Sequence, residues 1–524
     1  MYRHTLVNHF LEHSAERSPD KVALVHEGER LTYAQIDERA NSLAAFLRHS
    51  GVRRGDRVAI FMDNCPEAVI ALFAALKAGA AFLMINHTTK ADKLEYILNN
   101  SRASALVLQG ERSNVLCRDR TPNLRTIVTA GPAGIGLEGT SYEEIVRRAA
   151  NDRVASPNVD QDLSSVIYTS GSTGFPKGVM LSHLNMVSAA HSISTYLENR
   201  SDDIIINVLP LSFDYGLYQV LMGFRIGGTV ILEKSFAYPY QVVQTMVRER
   251  VTGFPGVPTI FALLLRIKDI DRMDLGSLRY ITNTAAALPV SHIRRLREVF
   301  PQARLYSMYG LTECKRVTYL PPDQLDIRPS SVGRGMPNEE VYIIDEAGNR
   351  VGHGVVGELV VRGSNVMIGY WEKPEETAER LRSGAYPGER VLHTGDLFKM
   401  DEEGYLYFVA RKDDIIKSKG EKVSPKEIEN VLYGIEGVLE AAVIGIPDAI
   451  LGQAIKAFVA LEQGAQLTER DILRHCSQHL ETYMLPKHVE ILPSLPKTAT
   501  GKIRKQDLKE AAAPSGQAAG TAHD

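Results

Sequence analysis

The sequence predicts an α/β protein. A large N-terminal domain of mostly parallel, helix-flanked sheets carries a β-rich subdomain, and a small α+β domain follows. Two patterns support this. In the first half, short apolar runs alternate with helix-length segments, the order that lays parallel strands under covering helices. Around Glu339 that order gives way to short strands joined by turns. Past Arg411 a lysine-dense segment, ARKDDIIKSKGEKVSP, leads into a compact α/β pattern.

The elements follow in order. Residues 56–62 (DRVAIFM) form a strand, 67–78 a helix and 81–85 the next strand. The strand signal returns at 103–109 and 124–129. A further β-α-β unit is expected at 204–209, near 216–224, and at 229–233. Short strands are predicted at 341–345, 357–362 and 405–409, with EAGN and DEEG as turns. The last part reads as a helix at 425–432, strands at 438–446 and 454–462, and a helix at 468–480. The tail from 511 (AAAPSGQAAGTAHD) is small and polar, the composition of disorder.

Length and composition bound the class. The chain has 524 residues, which at roughly 100–200 per domain argues for more than one domain. With 44% hydrophobic and 23% charged residues it can bury sizeable cores, and a net charge of −3 favours neither nucleic acid nor an anionic membrane as partner. Cys65, Cys117, Cys314 and Cys476 lack metal-ligand spacing and are too few for a disulfide scaffold, so a reducing cytoplasm is expected. The start, MYRHTLVNHFLEHSAERSPD, lacks an apolar signal core. Residues 68–85 are apolar but interrupted by Lys77 and Gly79, which fits a buried helix and strand better than a membrane span.

Residues 168–178 read YTSGSTGFPKG after the strand-like SSVIY. Gly171, Gly174 and Gly178 allow backbone N–H groups to turn toward one anion. Thr169, Ser170, Ser172 and Thr173 add hydroxyl donors, and Lys177 a point charge. A polyphosphate needs this combination. The spacing departs from the P-loop, because Lys177 follows Phe175-Pro176 and not a glycine.

YTSGSTGFPKGVMLSH closely resembles the signature of the AMP-forming adenylate-forming superfamily, which includes acyl-CoA synthetases, peptide-synthetase adenylation domains and firefly luciferase. The resemblance runs from LTYAQIDERANSLAAFL (31–47) to LPKTATGKIRK (495–505). It implies an acid–thiol ligase that converts a carboxylic acid and MgATP to acyl-AMP and pyrophosphate, then passes the acyl group to coenzyme A or to a carrier-protein phosphopantetheine. In MYGLTEC the resemblance gives Tyr309 the adenine, with Gly310 beside it, Thr312 a phosphate and Glu313 the Mg²⁺. In VLHTGDL it gives Asp396 the ribose hydroxyls, which Arg411 also reaches. Asn283, Thr284 and Ala285 (NTAAAL) stand where relatives carry a glycine pair beside adenine, and this chain has no glycine there. Lys502, in PKTATGKIRK, matches the catalytic lysine of adenylation, acting with Thr169 and Glu313. Such enzymes rotate the small domain between steps. This implies a division into 1–410, a hinge at 411–414 with Asp413 as hinge residue, a mobile domain at 415–510, and a disordered tail at 511–524. Gly420, in KSKGE, would then let a thiol-bearing arm pass.

The acid pocket is expected at Phe213, Asp214, Gly216, Ile281, Met308 and Arg316. Asp214, in LPLSFDYGLYQ, resembles the aspartate that amino-acid-activating relatives pair with a substrate ammonium. Lys315 or Arg316 can instead neutralise it internally. Three alternatives therefore stand beside acyl-CoA synthesis: an amino-acid adenylation enzyme serving a carrier protein in trans, a luciferase-like oxygenase, and a non-catalytic nucleotide-binding regulator. Neither a nucleic acid partner nor an integral membrane segment is expected.

Overall fold

Two helices that are apolar on nearly every side explain how the large sheets come together. Such helices have no face to give to water and must be covered all round. In Pro66–Ala78 all residues but Glu67 are buried, and in Asp214–Ile226 the first eleven are. Phe73 of the first stacks on Phe224 of the second, with ring centres 5.4 Å apart. The computed structural model describes residues 4–132, 139–148, 153–169, 176–418, 421–448, 451–498 and 502–512.

One sheet has nine strands. Its centre is parallel, in the order Arg304–Tyr309, Tyr280–Asn283, Gly253–Gly256, Ile204–Asn207, Thr229–Leu232 and Val22–His26. The other has eight, with Leu163–Thr169, Ala81–Ile85, Arg57–Phe61, Ala105–Gln109 and Thr126–Ala130 parallel in that order. The mostly parallel expectation needs one refinement: three of the four edges are antiparallel, and only Thr140–Ser141 closes its edge in parallel among the described residues. Lys177–Ser182 runs back along Leu163–Thr169, so the Ser/Gly loop closes a hairpin and does not lead into a helix. An apolar run specifies a strand but carries no direction, which is why this was not legible.

The β-rich part is an antiparallel five-stranded sheet of Glu339–Ile344, Gly357–Gly363, Arg390–Met400, Leu381–Ser383 and Leu406–Arg411. Thr394-Gly395-Asp396 sits inside its long strand, with Gly395 at φ 72°. One hydrophobic core spans all three sheets. Beyond Lys412–Asp414, a short 3₁₀ turn, a second sheet-and-helix unit has its own cores. Its strands Val438–Asp448 and Gly452–Leu461 pair over their full length. The helix Lys505–Ala512 takes in the first two residues of the segment expected to be disordered, and the rest of that segment lies outside the described residues. No helix among the described residues is long and apolar enough to cross a membrane.

Candidate active site

The predicted residues collect at the carboxyl ends of parallel strands, where open α/β sheets leave a crevice for ligands. Thr169 ends one strand, Asn283 a second and Tyr309 a third. Asp214 begins the helix that follows a fourth. It stands in the first turn, a favourable place for negative charge. Gly216 is required there: a Cβ would stand 2.7 Å from the Leu209 carbonyl oxygen and collide with that of Pro210.

Two hydrogen-bonded pairs lie where the nucleotide is expected. The Tyr309 hydroxyl donates to Asp396 at 2.6 Å, and Arg411, the cross-strand neighbour of Asp396, has its Nε 3.4 Å from the other carboxylate oxygen. Burial pushes the Asp396 carboxyl up, while Arg411 and Tyr309 oppose the shift. Burial and the Asp396 charge push the Tyr309 phenol well up, keeping it a donor. On the phosphate side the Tyr370 hydroxyl donates to Glu313 at 2.7 Å, and the Lys177 ammonium lies 5.7 Å from the Tyr370 ring centre. Lys177 is the register partner of Thr169. Ser170, Gly171, Ser172, Thr173 and Gly174 lie outside the described residues, as does Gly420. Thr312 and Gly310 belong to the turn carrying Glu313. A Cβ at Gly310 would collide with the Lys315 carbonyl, so this tight turn needs glycine.

Beside Tyr309, Asn283 and Thr284 are buried, and Asn283 Oδ1 and Thr284 Oγ1 have no hydrogen-bond partner. Ala285 adopts φ 75°, the left-handed conformation glycine takes more easily. Buried polar atoms are normally paired, so an orphaned amide oxygen and an orphaned hydroxyl at a crevice suit the purine edge, the oxygen accepting from the amino group and the hydroxyl donating to a ring nitrogen.

The acid side is unusually polar. Ile281, Met308 and Arg316 are buried, and the Tyr196 hydroxyl points at Met308 Sδ from 2.9 Å. Lys315, absent from the expected pocket, is 1% exposed with its Nζ on the Thr312 carbonyl at 3.2 Å. Burial pushes its ammonium down to about 8, against the pull of Asp214 first and Glu313 second. Cys314 is fully buried, and burial raises its thiol well above the ordinary value, which fits a wall residue and not a nucleophile.

Lys502 reaches this space from the small unit. Its Nζ lies 5.9 Å from the Phe213 ring centre, on a hairpin held by Thr498 N–H donating to the Lys502 carbonyl at 2.7 Å. Burial lowers its pKa; Asp214 opposes that most, and Asp396 and Glu313 add to the opposition. Asp413 is exposed within the 3₁₀ turn, and its neighbour Asp414 accepts from Lys509 at 3.3 Å.

Two positioning residues escaped sequence reasoning. Tyr370 ties Glu313 to the hairpin strand. Glu358 accepts from the Gly395 N–H at 2.9 Å and from Lys412 at 2.8 Å, with His393 at 3.4 Å. Despite burial these contacts hold its carboxyl at about 2. Both lie inside strands whose local pattern reads as structural.

Comparison with known proteins agrees with this geometry. The family model for the AMP-binding enzyme matches residues 11–371, and that for the AMP-binding enzyme C-terminal domain matches 427–502. A long-chain-fatty-acid–CoA ligase of Salmonella typhimurium is 32% identical over 533 residues, covering 96% of this chain and 93% of its own. A 3-[(3aS,4S,7aS)-7a-methyl-1,5-dioxo-octahydro-1H-inden-4-yl]propanoyl:CoA ligase of Rhodococcus jostii is 34% identical, covering 95% and 97%. The crystal structure of an anthranilate CoA ligase in complex with anthranoyl-AMP superposes with a TM-score of 0.89 at 30% identity, covering 97% of each chain. The chain belongs to the AMP-binding enzyme family and is an AMP-forming acid–thiol ligase of the acyl-CoA synthetase kind.

Proposed function

We propose that this chain makes an acyl-CoA in two steps at one site, with the residues above in the roles the sequence suggested. One observation carries the reading. Lys502, on the small unit, is half-buried beside Phe213 and within the electrostatic reach of Asp214, Asp396 and Glu313 on the large one. In the first step a carboxylate oxygen of the acid attacks the α-phosphorus of ATP, and the bond to pyrophosphate breaks. Two anions must approach each other, and the Lys502 ammonium offsets their repulsion. Thr169, Lys177 and the Ser/Gly loop hold the polyphosphate. Tyr309, Asn283, Thr284 and Ala285 take the adenine, and Asp396 with Arg411 the ribose. In the second step the sulfur of coenzyme A attacks the acyl carbon and AMP leaves.

Glu313 is the residue that would hold Mg²⁺. Its carboxylate supplies a hard oxygen, and no group of three or more His, Cys, Asp or Glu that could hold a metal occurs among the described residues. That donor set fits a cation bound mainly by phosphate oxygens and water. Bound there, Mg²⁺ would neutralise charge on the departing pyrophosphate. We place the division between a large part, 1–410, and a mobile part, 415–510, at 411–414, with Asp413 at the pivot. Turning the small part about it would withdraw Lys502 after adenylation.

A substrate ammonium is not needed to balance Asp214. Lys315 feels Asp214 as its largest favourable charge, so the internal cation already serves. This favours coenzyme A ligation of an acid over amino-acid loading of a carrier protein. Incubation with ATP, coenzyme A and a panel of fatty, aryl, dicarboxylic and amino acids should release pyrophosphate and give a coenzyme A thioester by mass spectrometry. Pyrophosphate release with a hydroxylamine-trapped acyl group but no thioester would move the acceptor to a carrier protein. Silence with every acid would sink the catalytic reading.

Asp396→Ala tests the ribose assignment. It removes a carboxylate that accepts from Tyr309 and faces Arg411. Charge-assisted hydrogen bonds contribute about 1.5–3 kcal/mol, so the KM for ATP should rise roughly 10- to 150-fold with the melting temperature little changed. An unaltered KM would remove Asp396 from the nucleotide site.

A further inference from the structure

Arg316 is a buried charge in the expected acid pocket with a donor left unpaired. Its side chain is 4% exposed. One guanidinium nitrogen donates to the Lys315 carbonyl at 2.9 Å, and the group lies 4.5 Å from the centre of the Tyr215 ring. Its Nε has no partner, and no ion pair joins it to a carboxylate among the described residues. Guanidinium has five donors and needs them satisfied when buried; an unpaired buried charge is costly.

The nearby acids also act on other groups. Asp214 acts on Lys315 and Lys502. Glu339 accepts from Asn365 at 3.2 Å, and burial raises its carboxyl well above the ordinary value. The rings around the guanidinium are tyrosines. Tyr215 bonds to Thr282 through its hydroxyl, and Tyr196 and Tyr218 feel the same positive charge. This is a wall for a polar group and not for an alkyl chain.

Resting on the ligase reading above, we infer that Arg316 is the receptor for a second carboxylate on the substrate, so that the acid activated here is a short dicarboxylic acid. The geometry bounds its length from above. Lys502 Nζ is 5.9 Å from the Phe213 ring centre, Phe213 and Tyr215 are 6.1 Å apart, and Arg316 is 4.5 Å from Tyr215, so Lys502 and Arg316 are at most 16.5 Å apart. With hydrogen bonds of about 3 Å at either end, a chain of about 10 Å or less fits between them. One carboxylate meets Lys502 and the α-phosphate; the other forms two N–H···O bonds with Arg316, the fork geometry that suits carboxylates.

The experiment compares α,ω-dicarboxylic acids of four to eight carbons with the monocarboxylic acids of the same length and with palmitate, by pyrophosphate release. It uses the wild type, Arg316→Met and Arg316→Lys. A site built around a buried polar partner discriminates strongly against a ligand lacking it, so at least one dicarboxylic acid should exceed its monoacid in kcat/KM by about 100-fold or more. Arg316→Met should erase that ratio, chiefly through KM for the dicarboxylic acid, and Arg316→Lys should keep part of it. Binding of a fluorescent ATP analogue reports whether each variant is folded; should Arg316→Met fail to bind it, the wild-type series decides alone. A wild type that prefers palmitate or any monoacid overturns the inference and leaves the ligase reading standing, as does an equal loss on both acid series in Arg316→Met. Silence with all acids fails the ligase reading itself.

Discussion

Lys502→Ala is expected to lower acyl-adenylate formation by about 10³-fold, measured as ATP–pyrophosphate exchange, and to leave thioester formation from a supplied acyl-adenylate nearly unchanged. The size follows from the job proposed for the ammonium. Removing one preorganised donor from a site of developing charge costs about 10²–10³ in rate, and here the donor carries a full charge between two anions. The asymmetry between steps follows from where Lys502 sits. It belongs to the hairpin of the small unit and enters the crevice only by leaning across to Phe213. A turn about 411–414 would carry it away before the thiol arrives. Equal loss in both half-reactions would sink the assignment. The pH profile adds a second check. Burial sets the Lys502 pKa below its ordinary value, so the charged form is lost earlier as pH rises. Exchange in the wild type should therefore fall on the alkaline side sooner than an exposed lysine would allow. In Lys502→Arg, which stays charged, that limb should move to higher pH at reduced overall rate.

The elements most legible in the sequence were those whose pattern is local. The strand Ala81–Ile85 and the helix Pro425–Leu432 match their expected bounds residue for residue, because an apolar run and a proline-started amphipathic turn specify themselves. The direction of strands was not legible. Nothing in KGVMLS states that it runs back along LSSVIYT, since that pairing depends on where the intervening loop turns. The candidate site divides in the same way. Tyr309, Glu313, Asp396 and Lys502 stand in short motifs and were found there. Tyr370, Glu358 and Lys315 act only because distant segments meet them: Tyr370 reaches Glu313 across fifty-seven positions, and Glu358 reaches Gly395 across thirty-seven. Lys315 looked like a charge able to neutralise Asp214, but only packing makes it a buried one.

Lys77 is the clearest instance of a residue read one way in sequence and used another way in the fold, and it leads to the largest stability effect expected. In the sequence it merely interrupts an apolar stretch. In the structure it is 0% exposed, with Nζ 3.1 Å from Glu12 and 2.9 Å from Asp37. The three residues come from His9–Arg17, Tyr33–His49 and Pro66–Ala78, so one ammonium ties three helices. Arg153 completes the group with a 2.7 Å contact to Glu12. Lys77→Met keeps the apolar stem but leaves one buried and one half-buried carboxylate, Glu12 and Asp37, short of a cation. Breaking a buried pair by removing one partner costs about 3–5 kcal/mol, and the variant should unfold at clearly lower urea concentration at pH 7. Adding Glu12→Gln and Asp37→Asn to Lys77→Met should restore part of the loss, because neutral amides need no counter-charge. The pH dependence has a definite sign. Glu12 is held at about 2 against its ordinary 4.5, with burial opposing and Lys77, Asn8 and Arg153 prevailing. Its contribution is present above about 4.5 and is lost as pH falls toward 2. The gap between wild type and Lys77→Met should therefore narrow on going from pH 7 to pH 4 and below. A gap that is absent at pH 7 would mean that the methionine packs well enough to replace the ion pair. In that case the three helices are held by their apolar faces, and the lysine is dispensable.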